Sequence, residues 1–192
     1  MTTKLISFFP HNVIDTCSIW NVLSSRVFYN AIMQSGCSFV CTRFVLYECL
    51  HKPRKSTTKE EEILRERLIQ ERDNNKFKDY HISIADLQDI DVLQKSKNLS
   101  KGELSSIVFA KKIGQGFLTD DQGARKLAER FMTKEKVQTT PQLFGWLYYE
   151  ERLIDSDKVQ IINEHNELNR PLENYFNQVY QQALQLRLYK NN

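Results

Sequence analysis

Five acidic residues stand where short apolar runs end or where helices begin, and these are positions from which carboxylates can do chemistry. Asp15 closes the first apolar run, and Glu48 lies inside the helix that follows the second run. Glu103 belongs to the first turn of a later helix, and Asp120 and Asp121 directly follow another apolar run in the segment GFLTDD. We expect all five carboxylates to converge on one edge of a sheet.

Carboxylates that lie close together repel one another, so at least one must take up a proton unless a cation is present. A hard divalent cation such as Mg²⁺ or Mn²⁺ meets this need, because it prefers oxygen ligands and keeps several waters. Such a centre activates water and stabilises in-line attack on a phosphodiester. A structural alternative stays open for each acid. Asp15, Glu103 and either Asp120 or Asp121 fit the role of helix caps, and Glu48 fits an exposed helix position.

Strands and helices alternate along the part of the chain that carries these acids. Short apolar or alternating runs predict five strands, at 12–16, 38–42, 80–85, 116–119 and 136–139. Periodicity and capping signals predict helices at 18–31, 43–50, 57–75, 86–95, 100–114, 122–131 and 141–151. This order is typical of an α/β fold with a mainly parallel sheet of about five strands.

The segment 155–192 predicts two amphipathic helices, which are divided at Arg170-Pro171. Their apolar faces need a partner. Packing on the rest of the same chain is one solution, and a homodimer or a partner protein is the other. We expect residues 1–154 to form the main domain, with a charged helical insertion at 52–79, and residues 155–192 to form a C-terminal helical extension.

Composition excludes several classes of protein. With 192 residues, 41% of them hydrophobic and only 6 glycines, the chain suits one globular domain and not a collagen-like fibre. Its apolar runs fall far short of the ~20 residues that span a bilayer, and no signal peptide is evident. Four cysteines without C-x-x-C pairs predict buried, reduced thiols and therefore a cytoplasmic protein.

The net charge of +3 is concentrated in one segment. Residues 52–78 hold nine basic and six acidic side chains. A basic segment attracts polyanions such as nucleic acids, although a solvated helix face has the same composition. The weak candidates for such contacts are Lys52, Arg54, Lys55, Arg65 and Arg72.

The acidic segments also resemble a known family in order and spacing. Four segments are similar to the acidic motifs of PIN-domain nucleases: VIDTCSIWNVL, YECL, KGELSSIVFAKKIG and FLTDDQGARKLAE. A fifth segment, VQTTPQLFGWLYYEERLI, is similar to the last strand and helix of the VapC-like branch. The resemblance covers residues 12–154. It implies a three-layer α/β/α fold and cleavage of RNA that depends on Mg²⁺ or Mn²⁺.

The resemblance also assigns roles to single residues. It implies that Asp15, Glu48, Glu103 and Asp121 form the catalytic metal site, and that Asp120 is an auxiliary ligand. Thr16 or Ser18 would help to hold water. Arg125 would contact a phosphate, although an ion pair with Glu129 is an equal alternative. The third acid is a glutamate in the G-E form, which matches one subfamily.

We therefore expect an endoribonuclease, either a toxin of a toxin–antitoxin pair or a stand-alone enzyme acting on a structured RNA such as tRNA. Its partners would be RNA and, through the C-terminal helices, an antitoxin, another protein or a second copy of the chain. Two alternatives remain. One is a catalytically inactive PIN-like interaction module, and the other is a structure-specific DNA nuclease.

Overall fold

Parallel strands form the centre of the molecule, in a computed structural model that describes residues 7–53, 56–94 and 99–190, with the backbone alone for 91–94. The five strands are β1 (His11–Ile14), β2 (Ser38–Thr42), β3 (Lys78–Tyr80), β4 (Gly116–Leu118) and β5 (Val137–Gln138). They lie in the order β3-β2-β1-β4-β5, and each neighbouring pair is parallel. All the carboxyl ends therefore lie at one edge, with β1 in the middle.

Helices cover both faces of this sheet, which confirms the predicted three-layer α/β/α architecture with additional C-terminal helices. Adjacent strand residues point to opposite faces. Ile14 and Leu118 belong to one core cluster, and Val13 and Phe117 belong to the other.

The described residues include ten α-helices: α1 (Thr16–Ser24), α2 (Arg26–Gln34), α3 (Arg43–Leu50), α4 (Lys59–Asp73), α5 (Ile84–Gln94), α6 (Lys101–Ile113), α7 (Gln122–Ala128), α8 (Thr140–Tyr149), α9 (Asp155–Glu167) and α10 (Glu173–Lys190).

Two predicted elements differ from the structure. The helix expected at 18–31 is divided at Ser25, whose extended backbone and side-chain oxygen cap α2 at the amide of Phe28. The strand expected at 80–85 is wrong in most of its length, because β3 ends at Tyr80. Ser83 caps the start of α5 through the amide of Asp86, so the apolar alternation continues into a helix and leaves Ile84 exposed.

The segment α4 is part of the core. Leu64 and Leu68 are buried in the same cluster as the first helices. Arg67 donates through Nη1 to the carbonyl oxygens of Leu23 and Ser24, at 2.7 and 3.0 Å, where the carbonyl groups of α1 lack helical partners. The charged residues of α4 therefore belong to one face of the helix, and its other face is packed against the core.

The C-terminal helices are packed against their own chain. Phe176 of α10 is fully buried and stacks on Phe144 of α8 with ring centroids 4.3 Å apart. His165 of α9 is buried too, and its ring nitrogens lie 2.9 and 2.8 Å from the carbonyl oxygens of Ile161 and Asn21. Within the described ranges, no helix has the length and apolar composition needed to cross a membrane.

Candidate functional site

Asp15 lies at the centre of the carboxyl edge of the sheet. It follows β1, the middle strand, and only 1% of its surface is exposed. Its Oδ1 accepts a hydrogen bond from the amide of Ser18 at 2.8 Å, so it caps α1 as well. Burial raises the pKa of Asp15 to about 7, and the charge of Asp120 adds to that rise, while the hydrogen bonds from Thr119 and Ser18 oppose it. A nearby cation would favour the charged form.

Thr119 links Asp15 to Asp121 across the strand ends. Its hydroxyl donates to Asp15 Oδ2 at 2.5 Å and accepts from the amide of Asp121 at 3.2 Å. Asp121 in turn uses Oδ1 to cap α7 at the amide of Ala124, 2.7 Å away. Its Oδ2 accepts no hydrogen bond from the described residues, so this oxygen is available for a ligand.

Glu48 is held between α1 and α6. Its Oε2 accepts from Thr16 Oγ1 at 2.9 Å, and its Oε1 accepts from the amide of Gly102 at 3.2 Å. A Cβ atom at position 102 would lie 2.5 Å from Glu48 Oε2. The absence of a side chain at Gly102 therefore admits the Glu48 carboxylate to the start of α6, and Thr16 positions this acid.

Glu103 forms the predicted capping box. Its Oε2 accepts from the amide of Ser100 at 2.8 Å, and the Ser100 hydroxyl accepts from the amide of Glu103 at 3.1 Å. Burial raises the pKa of Glu103, and the charges of Asp121 and Glu48 contribute to that rise. The three acids therefore interact electrostatically, although they come from different segments of the chain.

Asp120 is tied down by neutral donors. Its Oδ1 accepts from the amide of Thr140 at 2.9 Å. Its Oδ2 accepts from the Thr140 hydroxyl at 2.5 Å, from Asn21 Nδ2 at 2.7 Å and from Ser18 Oγ at 3.3 Å. These contacts fasten α1 and α8 to the end of β4, so Asp120 has a structural role. Its role as a metal ligand stays a prediction, as does a water-holding role for Ser18.

The donor set at this edge fits a hard divalent cation in chemistry, because it offers carboxylate and hydroxyl oxygens beside a buried acid. Among the described residues, no three His, Cys, Asp or Glu side chains stand close enough to hold a metal ion together. Mg²⁺ commonly uses one or two carboxylates and completes its shell with waters. Asp15 and Asp121, joined through Thr119, are the residues that would hold it.

Two pockets flank the carboxylates. One of about 710 Å³ includes Glu48 and lies on the side of β2 and β3. The other, of about 450 Å³, includes Asp120 and Arg125 and lies on the side of β4 and β5. Tyr175 of α10 lines this second pocket. The C-terminal extension therefore forms part of the surroundings of the site.

The basic candidates are only partly available to a ligand. Arg65 donates to the carbonyl oxygen of Leu50, and Arg72 lies 3.9 Å from the Asp79 carboxylate. Lys52 is exposed at the rim of the larger pocket. Arg54 and Lys55 lie outside the described residues.

Sequence reasoning gave no site role to several residues that hold the acids. Thr119 and Gly102 lie inside the quoted motifs, so their motif positions were available as a signal. Asn21 and Thr140 also lie inside the quoted motifs, in VIDTCSIWNVL and VQTTPQLFGWLYYEERLI, so the same signal was available for them. Burial, with the charge of Asp15, raises the pKa of the Cys17 thiol to about 12. The positive charge of Arg170, which the sequence placed only at a helix boundary, opposes this rise.

Comparison with known proteins adds no assignment, because no family model and no curated protein matches the chain.

Proposed function

We propose that this chain is a metal-dependent endoribonuclease of the PIN-domain type, which hydrolyses phosphodiester bonds of RNA. The observation that carries the proposal is the placement of acids from separate elements along the carboxyl edge of a parallel sheet. Asp15 follows β1, Glu48 lies on α3, Glu103 begins α6, and Asp121 follows β4. A purely structural role would not require neighbouring carboxylates whose charges add to the raised pKa of Asp15 and of Glu103.

In this proposal each residue has a defined task. Asp15 and Asp121 would hold the cation at the middle of the edge, and the hydrogen bonds of Thr119 to both residues would keep them in place. Glu48, placed by Thr16 and Gly102, and Glu103 orient the attacking water, and one of these two carboxylates takes up its proton. The water oxygen bonds to phosphorus, the bond from phosphorus to the leaving ribose oxygen breaks, and that oxygen takes a proton from the solvent. When bound, a divalent cation supplies positive charge that stabilises the phosphate oxygens during in-line attack. Arg125 contacts a neighbouring phosphate from the second pocket.

The cytoplasm is the compartment that we propose for this activity. All four cysteines are free thiols, and Cys37, Cys41 and Cys49 are buried. Burial raises the pKa of Cys37 and Cys41 to about 12, so both thiols stay protonated and unreactive at neutral pH. This chemistry suits a reducing compartment, where an RNA target is present. Either a toxin or a stand-alone enzyme fits these features.

The test is cleavage of total RNA by the wild type, by Asp15→Asn and by the control Asp73→Asn, which changes an exposed acid at the end of α4. Each protein is assayed with Mn²⁺, with Mg²⁺ and with EDTA, and single-stranded DNA is a second substrate. We expect discrete cuts in RNA that require a metal, a loss of at least ~100-fold in Asp15→Asn, and wild-type rates in Asp73→Asn. Equal cleavage by wild type and Asp15→Asn, with matched melting curves, would contradict the assignment.

A further inference from the structure

The larger pocket is an apolar groove with no cover among the described residues. It runs between α3, the segment after β3 and the start of α6. Phe44 and Ile82 form a partly buried floor against the second core cluster. Tyr47 and Leu87 remain 50% and 41% exposed. Exposed apolar side chains gathered in a groove indicate a binding surface.

The groove is continuous with the carboxylate edge. Glu48 belongs to its wall, and the carboxylate of Glu48 also contacts Thr16 and Gly102 at that edge. Ser100, which caps the helix that carries Glu103, lies in the same wall. A ligand that fills the groove therefore extends to the residues proposed to act on a phosphodiester.

Positive charge surrounds the apolar floor. Lys52 and Lys101 are exposed at the groove. Arg43 lies there too, with its side chain 60% exposed and its Nε 3.0 Å from Asp79. Glu48 is the one acid among the described lining residues. Aromatic and aliphatic surface beneath a ring of cations complements a nucleotide, which has a flat apolar base and an anionic phosphate.

We propose that this groove binds an unpaired nucleobase of single-stranded RNA beside the scissile phosphate, with Tyr47 stacked on the base and Lys52 and Lys101 against the flanking phosphates. The proposal rests on the proposed nuclease function and adds to it a base-binding subsite at Tyr47. A base inside a duplex is stacked on its neighbours and cannot enter such a groove, so paired RNA is excluded from it. A wholly apolar protein segment would offer no anionic partner to Lys52 and Lys101, which is why the nucleotide is the better occupant.

The experiment measures binding in EDTA, where the metal-dependent reaction is absent, by fluorescence anisotropy of a labelled 12-nucleotide single-stranded RNA and of the same strand annealed to its complement. The proteins are wild type, Tyr47→Ala, Tyr47→Phe and the control Tyr189→Ala, whose side chain is 80% exposed on α10. Stacking on one base contributes about 1–3 kcal/mol, so Tyr47→Ala is expected to raise Kd for the single strand by about 5- to 150-fold. Tyr47→Phe and Tyr189→Ala are expected to keep wild-type affinity, and the duplex is expected to bind weakly to all four proteins.

A parallel assay with Mn²⁺ separates the two proposals. If the wild type cleaves RNA and Tyr47→Ala binds the single strand as tightly as the wild type, the groove proposal is overturned while the nuclease stands, and an apolar protein segment becomes the better occupant. If binding depends on Tyr47 but no metal supports cleavage, the nuclease is overturned and the groove assignment stands. If the wild type binds the duplex as tightly as the single strand, the substrate class is wrong.

Discussion

The position of the Glu48 carboxylate depends on one missing side chain. Gly102 offers its amide to this acid, and a methyl group there would occupy the place of Oε2. Because Glu48 is a flexible side chain, it can move away without disturbing the backbone. A side chain at position 102 is therefore expected to displace the Glu48 carboxylate while the fold stays intact.

We predict that Gly102→Ala weakens Mn²⁺ binding by about 10-fold, because a displaced Glu48 would no longer orient a water of the shell of the ion. Melting should not fall, because alanine favours a helix by up to about 1 kcal/mol over glycine. Isothermal titration with Mn²⁺ and thermal melting are the two measurements. In a Glu48→Ala background the additional effect of Gly102→Ala should vanish. Wild-type Mn²⁺ affinity in the single variant would show that Glu48 does not need this gap.

At the scale of elements, the helix starts of the sheet edge combine two roles. Asp15, Glu103 and Asp121 each accept an amide hydrogen bond at the first turn of a helix. The positive end of a helix stabilises a carboxylate, which helps to keep acids charged near one another. The capping interpretation and the catalytic interpretation of these residues are therefore compatible.

The helix α4 contributes to the fold through its buried face. Leu68 is fully buried, whereas its neighbour Ile69 is 48% exposed on the same helix. We predict that Leu68→Ala lowers the free energy of unfolding by about 2–5 kcal/mol through loss of buried surface and creation of a cavity. Ile69→Ala should cost less than about 1 kcal/mol. Urea denaturation measures both, and equal costs would mean that α4 is not packed as described.

At the scale of the whole molecule, the C-terminal helices share one core with the first helices and the sheet. Ile161, Phe176 and Tyr180 lie in the same buried cluster as Ile14 and Phe28. The sequence left open whether these apolar faces meet their own chain or a partner. The structure buries them against α2 and α8, and it leaves Tyr175 and Leu188 exposed.

We predict that Phe176→Ala destabilises the whole protein by about 3–5 kcal/mol, because it empties a site enclosed by Phe28 and Phe144. Tyr175→Ala, one residue earlier and 59% exposed, is the matched control and should change stability little. Circular dichroism should record one cooperative transition in each variant. A chain shortened to residues 1–154 that melts at the wild-type temperature would refute this description of the extension.

Local sequence determined a large part of this protein. The spans of β2 and α3, the capping boxes of α4 and α6 and the alternation of strands with helices follow from periodicity and cap residues, which act over a few positions. The same alternation placed Asp15 and Asp121 at strand ends, so the candidate site was predictable to the level of a shared edge. The predicted strand at 80–85 was wrong because Ser83 caps a helix there, and a local apolar pattern fits both interpretations.

Tertiary structure alone decided which distant donors hold Asp15, Glu48 and Asp120 and where the groove lies. Thr119 reaches Asp15 from 104 residues away, and Asn21 reaches Asp120 from 99 residues away. Tertiary structure also decided that α4 is packed and that α10 borders the second pocket. The physical reason is that side-chain contacts, burial and the resulting pKa shifts depend on how elements pack across the sheet, and a sequence pattern specifies the faces of an element without specifying its neighbours.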